Sequence, residues 1–341
     1  MVDLTFHERQ HLQKLLQQQG SIKYIFDEFV RKVGQIMTGW SDSGSENVWI
    51  RNANIERAIE NELAVLREKL LDNIQSHTTD AWERSNLKTD ELVSGFIDNL
   101  PINETIRKGM FARNEEAFSA FMKRKVDGFT ISDRVWKVTG TAKENIEHYL
   151  SSGLSTGRPA ALISQDVRQL LKEPDRRFHR IRNADGKLVP SAPMAAYHPG
   201  QGVYRSSYKN ALRLAVTNTN EMYRLADHER WKNLDFILGV DIRRSASNKG
   251  PCPICDAMVG KYPKDFVYKG WHPFCICPAT PILMKEDDFM KSITDENYQT
   301  SGQITELPEN GREYLEEQAA KSNLKTDSYL LRDNKKYFNA K

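Results

Sequence analysis

Cysteine is scarce in this sequence, and its placement argues against a disulfide framework. Only four cysteines occur among 341 residues, and all of them lie between Cys252 and Cys277. Cysteines that staple a secreted fold are usually dispersed along the chain, whereas a cluster in an intracellular protein points to metal binding or to a group of reduced thiols. The cysteines therefore mark residues 252–277 as a candidate metal-binding or thiol segment.

Long apolar runs are also missing. The first sixteen residues, MVDLTFHERQHLQKLL, contain no apolar segment of signal-peptide length. No stretch approaches the roughly 20 consecutive apolar residues that a membrane helix needs. We therefore expect no membrane partner, and we expect a protein that stays in a host cytoplasm unless it leaves by assembly into a particle.

The usual sequence signatures of catalysis are absent as well. The chain has no Gly-rich phosphate loop, no nucleophile elbow and no paired carboxylate pattern. The cysteine segment lacks the neighbouring His/Glu pair that zinc hydrolases and deaminases use. We expect no catalytic residues and no enzymatic activity.

Charge is nearly balanced overall but unevenly distributed. The net charge is +3, which excludes a bulk nucleic-acid binder. Residues 158–285 contain 21 Lys/Arg and 11 Asp/Glu, and the rest of the chain contains 28 and 35, so that the two parts carry +10 and −7. This asymmetry predicts either two different neighbours, one of them a phosphate backbone, or a solvated surface of uneven charge. The basic run Arg176–Arg182 allows the same two interpretations, and it assigns no specific nucleic-acid-binding residue.

Apolar periodicity predicts a mainly α protein with a smaller α+β part. The clearest stripe steps by three or four residues through Ile55, Ile59, Leu63, Leu66, Leu70 and Ile74. Further helices are predicted near 5–18, 23–37, 115–125, 142–152, 204–231 and 311–321. Another helix should follow Gly157 and Pro159 and end before Pro174. An Asp185–Gly186 turn predicts a hairpin, and residues 235–243 predict a strand.

The length exceeds that of one ordinary domain, so we expect more than one. The breaks in pattern suggest an N-terminal helical domain over 1–152, followed by an α+β domain over 153–285 with a zinc-knuckle-like β element. Residues 286–341 are polar and broken into short pieces. We expect them to form an arm without a core of its own.

The segment whose residues could bind a metal is Cys252-Pro253-Ile254-Cys255, then sixteen intervening residues, then His272-Pro273-Phe274-Cys275-Ile276-Cys277. The first pair has the spacing of a zinc knuckle, in which a tight turn directs two thiolates at one ion, and His272 and Cys275 repeat the two-residue gap. Zinc takes four such ligands, so five candidates compete for four places. The preferred set is Cys252, Cys255, His272 and Cys275, with Cys277 as a buried thiol or an alternative ligand.

A site with four protein ligands leaves no open position for water, so the expected cofactor is a structural Zn²⁺ that stabilises the fold. A reduced thiol cluster, disulfides, or a catalytic zinc with three protein ligands are the alternatives. Spacing alone does not decide which of His272, Cys275 and Cys277 would be left out.

Three stretches of the chain resemble the phage Mu F-like head-morphogenesis, or minor head, proteins. They are Ser152–Gly157 leading into the Leu162–Leu171 helix, the segment Leu214–Asn220 with Tyr223 and Ala226, and Cys252–Cys277 with Gly260–Tyr262 inside it. The likeness covers about residues 130–283. The chain departs from the family in having Val216–Asn218 where Arg-Thr-Glu is usual, and Ile276 where arginine is common. The candidate metal ligands are unchanged.

The resemblance implies an internal virion component that associates with the portal protein and with scaffold or major capsid protein during head assembly. It also implies a role in the packaging or ejection of double-stranded DNA. The expected location is then the capsid interior, with the host cytoplasm during assembly. Two other classes remain open: a free zinc-containing nucleic-acid-binding protein and a phage-encoded effector enzyme such as a nuclease or transferase.

Overall fold

The computed structural model describes residues 4–41, 53–155, 165–167, 171, 180–191, 206–245, 252–295, 297–321 and 329–337. Of these residues 66% are helical and 8% lie in strands, which confirms a mainly helical protein with a small α+β part. The helices are α1 (Phe6–Ser41), α2 (Ala53–Ile97), α3 (Glu104–Met110), α4 (Glu115–Lys123), α5 (Ile131–Ser155), α6 (Ser207–Trp231), α7 (Pro253–Ala257), α8 (Glu286–Thr294), α9 (Glu309–Lys321) and α10 (Tyr329–Asp333). The strands are β1 (Arg180–Arg182), β2 (Leu188–Pro190), β3 (Ile237–Ile242), β4 (Gly260–Tyr262) and β5 (Ala279–Leu283).

Local sequence explains where several helices begin. The side chain of Asn103 accepts a hydrogen bond from the backbone N–H of Ile106 at the start of α3, and Asn114 does the same for Ala117 at the start of α4. Thr130 and Asp133 exchange side-chain and backbone hydrogen bonds before α5, as in a capping box. The two helices predicted near 5–18 and 23–37 form the single helix α1.

The chain divides into two compact units that interleave along the sequence. One comprises residues 1–15, 76–127 and 217–341 and is called here the sheet unit; the other comprises residues 16–75 and 128–216 and is called the helical unit. Long helices contribute residues to both, so each unit is assembled from separated stretches. The consecutive domains 1–152, 153–285 and 286–341 are a different division of the chain and stay a prediction.

The helical unit is built around the predicted apolar stripe of α2. All six of its members are buried, from Ile55 to Ile74, and they share one core with Phe26 and Val33 of α1 and Val138 of α5. This burial is the main stabilising term, because each square ångström of apolar surface removed from water contributes about 25 cal/mol.

A two-stranded antiparallel hairpin also falls in the helical unit and confirms the Asp185–Gly186 prediction. Strands β1 and β2 pair Ile181 with Val189, and the turn is closed by Asn183, whose side chain accepts from the backbone N–H groups of Asp185 and Lys187. Gly186 has φ 74°, a left-handed conformation that glycine adopts without strain.

The sheet unit contains a three-stranded antiparallel sheet in the order β4-β3-β5. The central strand β3 lies within the predicted 235–243 segment, and almost every residue of it is buried. Gly239 is required there, because a Cβ atom would lie 2.6 Å from the side chain of Ile304 and 2.8 Å from the Tyr262 carbonyl oxygen. At Gly239, β3 therefore packs closely against both β4 and the segment that contains Ile304.

The chain after Lys285 corrects the expectation of an arm without a core. Its buried apolar side chains join the core of the sheet unit, and they are Phe289, Leu307, Leu315, Leu330 and Leu331. The Asn334 side chain is also buried, and it donates to the Val267 carbonyl and accepts from the Val267 N–H. The sequence pattern did not predict this core because these apolar residues occur singly among polar ones, in segments too short to show a helical or strand period.

Some predicted features lie outside the described residues. They include most of the helix expected between Gly157 and Pro174, the loop from Asp42 to Ser45, and the part of the basic run before Arg180. Among the described helices, none combines the length and the apolar character needed to cross a bilayer.

Candidate metal centre

Two short turns carry the cysteines and the histidine. Cys252 caps α7, with Pro253 at the first helical position, and Cys255 lies one turn later in the same helix. The second turn is closed by a hydrogen bond from the Cys275 N–H to the His272 carbonyl, and Phe274 between them has φ 63°. Each turn thus directs two side chains to one side, as the CxxC and HxxC spacings predict.

All five predicted residues come together in the sheet unit. The Nε2 atom of His272 lies 3.2 Å from the sulfur of Cys252 and 3.1 Å from that of Cys255. The sulfur of Cys255 lies 3.9 Å from that of Cys275. The donor atoms of Cys252, Cys255 and His272 form one group of mutual neighbours, and those of Cys255, Cys275 and Cys277 form a second. Cys255 belongs to both groups and joins them into one cluster.

The proton on His272 is fixed by its other ring nitrogen. Nδ1 lies 2.7 Å from the carbonyl oxygen of Pro273. A carbonyl only accepts, so Nδ1 carries a hydrogen, and in the neutral ring Nε2 then presents a lone pair to the two cysteine sulfurs. Such an outer hydrogen bond orients histidines that bind metals. One lone pair facing two sulfurs is an arrangement that a cation satisfies better than two thiol hydrogens do.

The thiols do not form disulfides and are not chemically equivalent. All four cysteines are free, and the 3.9 Å between the sulfurs of Cys255 and Cys275 is almost twice a disulfide bond length of about 2.05 Å. Hydrogen bonds from the thiols of Cys255 and Cys277, and from the N–H groups of Cys277 and Trp271, lower the pKa of Cys275. The bond to Cys275 in turn raises the pKa of Cys255.

Side chains from distant parts of the sequence hold the backbone of the second turn. Asn220 of α6 donates to the carbonyl oxygen of Cys275 at 2.9 Å, and the Tyr268 hydroxyl donates to that of Cys277, also at 2.9 Å. The sequence places Asn220 in the middle of a helix but indicates nothing about this partner. Neither Asn220 nor Tyr268 carries a local signal that could have identified it.

A buried network of charges lies in the same unit and was not predicted. The Arg224 guanidinium donates to both oxygens of Glu8, at 2.7 and 2.6 Å, and lies 3.3 Å from Asp227. Lys88 completes a quartet of two cations and two anions, with its ammonium 2.5 Å from Asp227 and 3.5 Å from Glu8. Burial by itself would raise the pKa of Glu8, but Arg224 and Lys88 outweigh it and lower that pKa to about 2.

Comparisons of the chain with protein-family models, with curated proteins and with solved structures found no match. The likeness to minor head proteins accordingly rests on the residue motifs alone. What the geometry establishes is a cluster of Cys and His side chains in the sheet unit that could bind a metal ion, with Cys255, Cys275 and Cys277 buried and with Cys252 and His272 partly exposed.

Proposed function

We propose that the cluster is a structural zinc centre. Three thiols and one imidazole are the donor types that zinc prefers, and no carboxylate takes part in either group of neighbours. Zinc–sulfur bonds of about 2.3 Å in a tetrahedron hold the sulfurs about 3.8 Å apart. The separation of 3.9 Å between the sulfurs of Cys255 and Cys275 fits this geometry.

The preferred ligands are Cys252, Cys255, His272 and Cys275. His272 is supported by its position beside the sulfurs of Cys252 and Cys255, and Cys275 by the 3.9 Å between its sulfur and that of Cys255. Cys275 and Cys277 both belong to the group that Cys255 shares and neither is grouped with His272, so the preference for Cys275 follows from its two-residue gap to His272, and Cys277 is the alternative ligand. With four protein ligands in place, the ion has no open position for a substrate or a reactive water.

Substituting Co²⁺ for zinc tests this ligand set. We expect about one metal ion per chain, and we expect sulfur-to-cobalt absorption typical of three thiolates and one nitrogen in a tetrahedron. Cys277→Ser should leave this spectrum unchanged, whereas Cys275→Ser should weaken the sulfur bands. His272→Ala should shift the ligand-field bands. If Cys277→Ser removes a thiolate and His272→Ala changes nothing, the centre has four cysteine ligands instead.

We further propose that the protein is a phage minor head protein, an internal component that associates with the portal during head assembly and takes part in DNA packaging or ejection. The observation that carries this proposal is the closed Cys/His cluster, which occurs in the same order after the Leu214–Asn220 helix as in the family that the chain resembles. A metal ion held by four protein side chains would stabilise the fold and would offer no open position for a reaction, which suits a structural component of a particle. The acidic and basic parts of the chain suit protein and DNA neighbours, respectively.

Co-expression with the portal protein of the same genome tests the role in assembly. We expect the two proteins to co-purify, and we expect mass spectrometry of purified virions to find the chain at low copy number. DNA binding should be weak, independent of sequence and steeply dependent on salt. Absence from virions, together with metal-dependent DNA cleavage, would favour the effector enzyme. Absence from virions, together with tight DNA binding, would favour a free nucleic-acid-binding protein.

A further inference from the structure

A chain of three hydrogen bonds leads from α2 through α1 and α6 to the metal centre. Arg84 Nη1 lies 3.1 Å from His11 Nδ1, His11 Nε2 lies 2.9 Å from Asn220 Oδ1, and Asn220 Nδ2 lies 2.9 Å from the Cys275 carbonyl oxygen. His11 and Asn220 are 209 positions apart in the sequence. All members of this chain belong to the sheet unit.

The donor and the acceptor in each of these three hydrogen bonds follow from the Cys275 carbonyl oxygen at the end of the series. The Cys275 carbonyl only accepts, so the amide NH₂ of Asn220 faces it and the amide oxygen faces His11. His11 must then donate from Nε2, which leaves Nδ1 without a hydrogen and able to accept from the Arg84 guanidinium. One neutral tautomer of His11 therefore satisfies all three contacts. A doubly protonated ring would place a second N–H against Arg84.

The hydrogen-bonded groups of His11, Asn220 and Cys275 are shielded from water. The exposed fractions of His11, Asn220 and Cys275 are 1%, 4% and 3%. The imidazole of His11 stacks on Tyr223 with ring centroids 3.8 Å apart and planes within 8°. A buried polar group that loses its partner costs about 1–3 kcal/mol, because it cannot turn to water. The carbonyl of Cys275 thus depends on Asn220, and Asn220 depends on His11.

We propose that His11 and Asn220 are positioning residues for the metal centre, and that they link metal binding to the docking of the first turns of α1. The proposal rests on the zinc centre proposed above. Asn220 fixes the peptide that follows Cys275, and so it orients the turn that presents both His272 and Cys275. Linkage is reciprocal: whatever holds α1 in place tightens the centre, and a bound ion holds α1.

The rate at which zinc is released to a chromogenic chelator measures how strongly His11 and Asn220 stabilise the metal centre. Outer-shell partners of metal ligands change affinity by roughly 10- to 100-fold when they are removed. We expect His11→Ala and Asn220→Leu, the latter close in size to asparagine, to lose zinc at least about 10-fold faster than the wild type. His7→Ala is the matched control, because His7 lies one turn earlier on α1 and contacts Glu91 of α2, outside this chain of bonds. The Co²⁺ spectra of all three variants should keep the wild-type ligand bands, since no ligand is changed.

Hydrogen exchange of the wild-type protein, with and without zinc, measures how strongly the bound ion stabilises the first turns of α1. This experiment does not depend on the folding of a variant. Removal of zinc should increase amide exchange in residues 6–15 more than in α3 and α4, which belong to the same unit. Equal loss of protection across the unit, or zinc release from both variants at the wild-type rate, overturns the linkage. A wild-type protein that contains no zinc overturns the centre itself, so the two failures are distinguishable.

Discussion

Cys255→Ser is expected to abolish metal binding and to destabilise the sheet unit by more than about 4 kcal/mol, an effect that is exceptional for one substitution. Cys255 is the residue that belongs to both groups of donors, and its side chain is buried. Serine offers no thiolate, and a structural metal contributes its binding energy directly to folding. Elemental analysis should find no zinc, and urea denaturation should show an earlier transition.

The location of the damage distinguishes this explanation from general misfolding. Hydrogen exchange in Cys255→Ser should increase in β3, β4 and β5. The core of the helical unit around Leu63 and Val138 should keep its protection, because its apolar side chains do not depend on the cluster. Treatment of the wild-type protein with a chelator should reproduce the pattern. A variant that melts like the wild type, or one that loses protection equally in both units, would show that the cluster is not structural.

Arg224→Met is expected to cost about 3–5 kcal/mol of folding stability, because it leaves the buried carboxylate of Glu8 without its main partner. The Arg224 guanidinium is almost completely buried and donates to both oxygens of Glu8. Lys88 replaces only part of this interaction, since its ammonium lies 3.5 Å from Glu8 and is already 2.5 Å from Asp227. Chemical denaturation followed by circular dichroism measures the loss.

A second substitution tests the reason for this effect. Glu8→Leu combined with Arg224→Met removes a cation and an anion together, and it should recover part of the stability lost in the single variant. Lys69→Met provides a surface comparison, because Lys69 pairs with Glu28 at 2.5 Å in contact with water, and we expect little change there. If the double variant is as unstable as the sum of the two single changes, uncompensated charge is not the cause.

The sequence determined the features that depend on neighbouring residues. The spacing from Ile55 to Ile74 predicts a buried helical face, Asp185–Gly186 predicts a hairpin, and residues 235–243 predict a strand; the structure contains all three. The gaps between Cys252 and Cys255, and between His272 and Cys275, predict two turns that each present a pair of donors. These patterns are readable because one turn or one strand brings the residues together whatever the rest of the chain does.

Only the tertiary structure decided which groups meet across long separations. It brought the two turns into one cluster, placed Asn220 and His11 behind Cys275, and paired Arg224 with Glu8 across 216 positions. It also shows that apolar residues after Lys285 pack into the core of the sheet unit, although their sparse spacing had suggested an arm. Such contacts leave no periodic trace, because the residues that make them are single polar or apolar positions whose partners are set by how the helices and the sheet pack. The metal-binding segment was therefore visible in the sequence, whereas the contacts that hold it in place were not.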